Sequence, residues 1–172
     1  MLFHTKLLLG ATAAFALCGL PSVQAQQQLS TQDRTFMEDA AKGGTHEIQM
    51  GHLGIKQGQS QAVKGFSQRL INDHTMANKE LAALAKQKGV TLPGDDAKTV
   101  SMPIAIKSGA DFDKEFGRVM IEEHRQAISA FETEATSGND PDVTNWARKT
   151  LPTLRAHLAE AQELLLPEQK LP

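Results

Sequence analysis

Six side chains carry most of the chemistry this chain could perform: Glu47, Asp73, His74, Glu123, His124 and His157. Carboxylates and imidazoles brought together from facing helices are the means by which helical bundles hold metal ions. Imidazole with carboxylate suits Fe, Mn, Zn or Cu(II). The absence of thiolate argues against soft Cu(I) chemistry, although Met76 and Met120 offer thioethers. The spacing supports convergence. Phe66 to Ala77 aligns without gaps on Phe116 to Ala127, and the two stretches share the Phe, an Ile (Ile71, Ile121), an acid, the His and the Ala. On a helical wheel His74 lies about 40° from Leu70 and Asp73 about 60° on the other side, and Glu123 and His124 repeat this about Met120. His157 falls about 60° from Leu154, on an inner flank, while Glu47 is about 100° from Ile48 and His46 points away from that stripe. At about 1.5 Å per residue Glu47, His74 and His124 come within a turn of one level, with His157 about one turn off.

A bland arrangement competes with the metal site. An acid beside an inward His can be a structural polar layer, with Arg69, Arg118 or Arg155 as partners, since buried polar groups need partners in any case. The di-iron template, a Glu-x-x-His on each of two helices, is absent. Other motifs fail. His46-Glu47 opens like a zinc-protease helix, but Met50 stands where the second His must be, and His52 reads as a snorkelling side chain. Asn139 to Asp142 lacks the glycine and terminal Glu of a calcium loop, and no Gly-x-Ser-x-Gly elbow occurs. Trp146 and the Phe residues read as core.

The elements that must position these groups are helices. Gly and Pro punctuate the chain into four segments, at about 31–57, 60–88, 111–137 and 141–166. Ser30, Ser60 and Asp140 stand as caps, the last followed by Pro141 at the first helical position. Apolar stripes recur at helical spacing: Val63, Phe66, Leu70, Ala77, Leu81 and Leu84; Phe116, Met120, Ala127 and Phe131; Val143, Ala147, Leu154, Leu158, Ala161 and Leu165. The first helix has a weaker stripe of Met37, Ala41, Gly44, Ile48, Gly51 and Ile55, whose glycines imply close approach to a neighbour. Pro152 should kink the fourth helix or free a carbonyl one turn earlier. Short links make helices one and two, and three and four, antiparallel neighbours. The Pro-, Gly- and Asp-rich stretch 90–110 is long enough to run the height of the bundle. The expected fold is all-α: an antiparallel four-helix bundle, ferritin-like, with one long crossover between helices two and three, forming a single domain over residues 26–172.

Residues 1–25 read as a cleavable signal peptide, with Lys6, an apolar run from Leu7 to Leu20, and a small-residue site ending at Ala25. The only cysteine, Cys18, lies within it, so the mature bundle must hold together without disulfides. Removing Lys6 leaves the 18 basic residues one fewer against 20 acids. That mild acidity, with no basic block, excludes phosphate-tracking nucleic-acid binders. No later segment is apolar and long enough to span a membrane.

The chain resembles the exported bacterial family called domain of unknown function 4142, often labelled outer-membrane protein and grouped with ferritin-like bundles. The resemblance covers nearly all of the mature chain. It rests on Phe36 to Glu47 with Ala40-Ala41-Lys42-Gly43-Gly44, on Ala62 to Phe66 leading to Asp73-His74, and on Lys88-Gly89-Val90-Thr91-Leu92-Pro93. It continues through Phe112-Asp113 to Glu123-His124, Phe131 to Ala135, and Leu151 to Leu158 with His157. It implies the helical-bundle fold and an exported protein, and it brings no activity with it. Four amphipathic helices do not make a spanning barrel.

Together these features describe a non-enzymatic protein of the periplasm or envelope, or a secreted one, that serves binding or stress tolerance. A metal ion at Glu47, Asp73, His74, Glu123, His124 and His157 is its sharpest form. The rivals are a ferritin-like metalloenzyme or redox protein, and a module that binds an envelope protein partner or forms a homodimer.

Overall fold

The computed structural model describes residues 29–93, 106 and 108–166. Among these, four helices form and no strand: α1 Thr31–Gln57, α2 Gln61–Lys88, α3 Phe112–Ser137 and α4 Pro141–Glu163. The leader, Cys18 and most of the crossover lie outside the described residues.

The local start signals act as their chemistry dictates. Ser30 accepts the Asp33 N–H, Ser60 Oγ accepts the Val63 N–H at 3.1 Å, and Asp140 Oδ1 accepts those of Asp142 and Val143. Gly89 ends α2 at φ 67°, a left-handed conformation open to glycine at no steric cost. Asp111, by contrast, makes no side-chain cap on α3.

Helix α1 packs chiefly on α2 and α3 chiefly on α4, with narrower contacts of α1 on α3 and α2 on α4. Pairings from Arg69–Glu160 to Lys88–Asp140 set α2 antiparallel to α4. Gln59–Asp113 at one end and Gln32–Glu134 at the other do the same for α1 and α3. Hence α2 and α3 run parallel on a diagonal, and the link between them must cross the whole bundle. Its described residues agree: Val90 and Leu92 are buried in one apolar cluster, while Ile106 packs against the other. The fold is the ferritin-like antiparallel bundle with one long crossover.

Three helical faces follow their stripes, and α1 departs from its own. Ile55 is exposed and Ile48 half-buried, whereas Met50 and Gly54 are buried. The glycines are the reason. A Cβ at Gly51 would fall 2.8 Å from the Ser67 carbonyl oxygen, and one at Gly54 would strike Ser67 Oγ. This glycine face lets α2 come close and rotates α1 so that Met50, His46 and Glu47 turn inward. The fourth helix stops at Glu163, leaving Leu165 exposed. It runs continuously through Pro152, whose ring is exposed.

Each hairpin is latched by an aspartate from the other. Asp113 of α3 accepts the Gln59 and Ser60 N–H groups at 2.8 Å each, holding the α1–α2 turn. Asp33 of α1 accepts the Asn139 N–H at 2.8 Å in the α3–α4 turn. Burial opposes charge on Asp113, but the Gln59 and Ser60 hydrogen bonds outweigh it and hold the carboxyl below its ordinary range. Asp113→Ala orphans two backbone donors and is expected to cost about 1.5–3 kcal/mol, read as a lower melting temperature with an unchanged far-UV spectrum. A variant that melts with the parent would remove the latch from the account.

Glu134 sits beside Asp33, fully buried, with Oε1 unpartnered. Burial, reinforced by Asp33, pushes its pKa up to about 7. A folded pKa above the unfolded one means that the folded chain holds the extra proton. Stability is therefore full below about 4.5 and is lost as pH rises through about 7. Glu134→Gln keeps the protonated shape, so the variant should match the parent near pH 5 and exceed it at pH 8 in denaturant melts. A constant difference across that range would contradict this.

Candidate metal centre

The core consists of two apolar clusters with one polar layer between them. Met37, Leu81, Phe131, Trp146 and Leu154 belong to one cluster; Met50, Leu70, Phe116, Met120 and Ala161 belong to the other. His46, Glu47, His74, His124 and His157 are buried at the level between them, one or more from every helix.

The hydrogen bonds fix where the imidazole protons lie. His124 Nδ1 is 2.9 Å from the Met120 carbonyl oxygen, which can only accept, so Nδ1 carries the proton and Nε2 a lone pair. His157 Nε2 donates to Asp73 Oδ2 at 2.9 Å, which leaves the lone pair on Nδ1. With both rings neutral, these two lone-pair nitrogens, His124 Nε2 and His157 Nδ1, face each other at 3.3 Å with no proton to share. His74 Nε2 is buried without a partner, and its ring centroid lies 5.3 Å from that of His157 and 6.0 Å from that of His124. One ligand atom from each of the three rings lies within 4.8 Å of the others. In a dry interior two opposed lone pairs and an orphan nitrogen are costly, and a cation between them removes the cost. Two nitrogens each about 2.0–2.1 Å from one ion at a tetrahedral angle are about 3.3 Å apart, so the spacing already fits.

Burial, then the nearby His157 and His124, lowers the His74 pKa to about 3. Burial and His157 lower that of His124 to about 4, against the hydrogen bond to Met120. Both rings are thus neutral near pH 7, the form that ligates metal. The outer shell follows the usual pattern for ligating histidines: one ring N–H on a backbone carbonyl, another on a carboxylate.

The six residues singled out in the sequence therefore divide. His74, His124 and His157 converge, with Asp73 behind His157. The one-turn offset foreseen for His157 does not keep it from the others: its Nδ1 lies 3.3 Å from His124 Nε2. Glu47 and Glu123 form a separate group with His46. His46 Nε2 donates to Glu123 Oε1 at 3.1 Å, and Glu47 Oε1 lies 3.6 Å from His124 Nδ1. Burial and then the Glu123 charge raise the Glu47 pKa well above its ordinary value. His46 was placed away from the core because the wheel was anchored on Ile48. Anchored on Met50, four residues on, it falls on the inner face.

The arginines do not serve the layer. Arg69 pairs with Glu160 and Arg155 with Glu132, both on the surface, and Arg118 is exposed. Met76 is exposed, so only Met120 stays near the histidines. No described helix is long and apolar enough to cross a membrane.

No curated protein matches the chain. Solved structures share its fold. CopM in the Cu(I)-bound form is 18% identical, covering 76% of this chain and 93% of its own, with a TM-score of 0.63. CopM in the Cu(II)-bound form is 19% identical over 77% and 96%, at 0.64. A DUF305 fragment from Deinococcus radiodurans is 15% identical over 80% and 97%, at 0.62. Residues 18–164 match the family described as domain of unknown function (DUF4142), and the chain belongs to that family.

Proposed function

We propose that this protein binds copper through His74, His124 and His157, and that it does so outside the cytoplasm after loss of residues 1–25, as a metal-binding rather than a catalytic protein. One observation carries the reading: the lone pairs of His124 Nε2 and His157 Nδ1 oppose each other at 3.3 Å while both outer nitrogens are tied down. A donor set of imidazoles alone suits copper or zinc better than Mn, which favours oxygen ligands, or Fe(II), which such a site binds more weakly than copper. Copper is preferred over zinc because structures of similar fold are Cu(I)- and Cu(II)-bound CopM. Two of the layer's carboxylates bind histidines through one oxygen each: Asp73 on His157 and Glu123 on His46. That division supports holding an ion rather than an oxygen-bridged reaction centre.

Calorimetric titration of the metal-free chain with Cu(II), and with Cu(I) under reductant, tests the reading. One ion per chain, bound in preference to Zn(II), is the expected result. Saturable zinc binding with copper no tighter would replace copper by zinc, and no binding of either would end the reading.

A further inference from the structure

A cavity of about 730 Å³ opens between α1 and α3 and runs inward to His46, Glu47, His74, Glu123 and His124. It is far larger than an ion needs and lies within the range of about 300–1,000 Å³ typical of small-molecule sites. Its walls away from that polar end include Phe36, Ala40, Ala77, Ala127 and Leu154.

The unpartnered buried atoms gather on this cavity. Among the described residues, eight buried side-chain nitrogen and oxygen atoms lack a hydrogen-bond partner, and six of them belong to residues that line it. Four of the six are at the deep end, on His46, Glu47, His74 and Glu123. His46 gives its Nε2–H to Glu123 Oε1, so His46 Nδ1 presents a lone pair; Glu123 Oε2 and, in the ionised form that a bound cation favours, Glu47 Oε2 supply two more acceptors. His46 is 5% and Glu47 7% exposed, so only a molecule inside the cavity can satisfy these atoms. Buried polar groups without partners are exceptional and call for an occupant. The ionisable lining is acidic: Asp39, Glu47, Glu123 and Glu134 line the cavity, the Glu47 and Glu134 carboxyls with pKa values raised by burial, and no Lys or Arg does.

We propose that this cavity binds a small organic cation, a primary ammonium on an apolar body, with its head at His46, Glu47 and Glu123. A primary ammonium has three N–H donors and no acceptor, which matches three orphaned acceptors. The methylenes or ring behind it lie against the Phe36, Ala77 and Ala127 walls. The site adjoins the three-histidine layer, since His74 and His124 line the same cavity, but neither His157 nor Asp73 does.

Calorimetry on the full chain, kept metal-free with chelator, tests this with n-hexylamine, 1-hexanol and hexanoate. The amine should bind one per chain and at least about tenfold tighter than the alcohol, because hydrogen bonds to a charged head each contribute more than a neutral one. Hexanoate should bind more weakly still. Glu123→Gln, an isosteric change on a half-buried side chain, should bring the amine close to the alcohol while leaving alcohol binding in place. Ala127→Trp should fill the cavity and remove both. His157→Ala should leave the amine unaffected while it removes copper, so the two sites fail separately. Alcohol binding as tight as amine binding would reduce the cavity to an apolar hole. No saturable amine binding, or amine binding unchanged in Glu123→Gln, would equally overturn the proposal.

Discussion

His157→Ala is expected to lower copper affinity by at least about 100-fold, since loss of a supporting outer partner alone costs about 10–100-fold and this change removes a ligand itself. The size follows from geometry. His157 Nδ1 faces His124 Nε2 at 3.3 Å, while His46 is bound to Glu123 and Met76 is exposed, so neither replaces it. Asp73→Asn separates orientation from ligation. The amide can still accept from His157 Nε2–H but no longer provides a charge-assisted acceptor, so the loss should be about 10–100-fold, within the range for a second-shell partner. Competition titrations against a chelator of known affinity read both. Equal losses in the two variants, or none in His157→Ala, would place the metal elsewhere.

His74→Leu should stabilise the metal-free chain. A purely structural layer predicts the opposite, because cutting a satisfied buried network leaves its partners orphaned. Here His74 Nε2 is already the orphan, buried without a partner and beside two other rings. Leucine of similar bulk removes a desolvation cost of about 1–3 kcal/mol, equivalent to roughly 2–4 °C of melting temperature per kcal/mol for a chain of this size. The pH dependence carries its own sign. The folded pKa of His74, about 3, lies below its ordinary 6.5, so the unfolded chain takes up the proton first. The stability of the neutral ring is present above about 6.5 and is lost as pH falls toward 3. The advantage of leucine should therefore widen as pH drops below about 6.5. Copper should raise the melting temperature of the parent through mass action and leave the variant where it was. A His74→Leu chain less stable than the parent at pH 7 would make the layer core architecture.

Much of the bundle was legible because its signals are local and mutually consistent. Ser30, Ser60, Asp140 and Gly89 stand at helix ends and act there, and the stripes of α2 and α3 mark the buried faces. The long stretch 90–110 pointed to parallel helices α2 and α3, which the pairings across the bundle support. Periodicity could not show the rotation of α1. Its stripe marks Gly44 and Gly51 as points of close approach, which Asn78 and Ser67 make, but Gly54, which also meets Ser67, lies outside that stripe. Anchoring on the isoleucines turned His46 outward and merged Glu47 with the histidines. The division of six residues into a nitrogen cluster and a carboxylate cluster depends on rotamers: Asp73 reaches across to α4, and Glu123 reaches back to α1. Neither choice is written in spacing. The reciprocal aspartate latches were likewise invisible, since Asp33 and Asp113 resemble ordinary first-turn acids.

The most direct test of the three-histidine centre is elemental analysis of the mature protein, purified from an exporting host without chelator or polyhistidine tag, beside a His124→Ala/His157→Ala variant. Near-stoichiometric copper in the parent and none in the variant is the predicted result. Copper retained by the variant, or a parent without copper when the host is grown with it, would contradict the account.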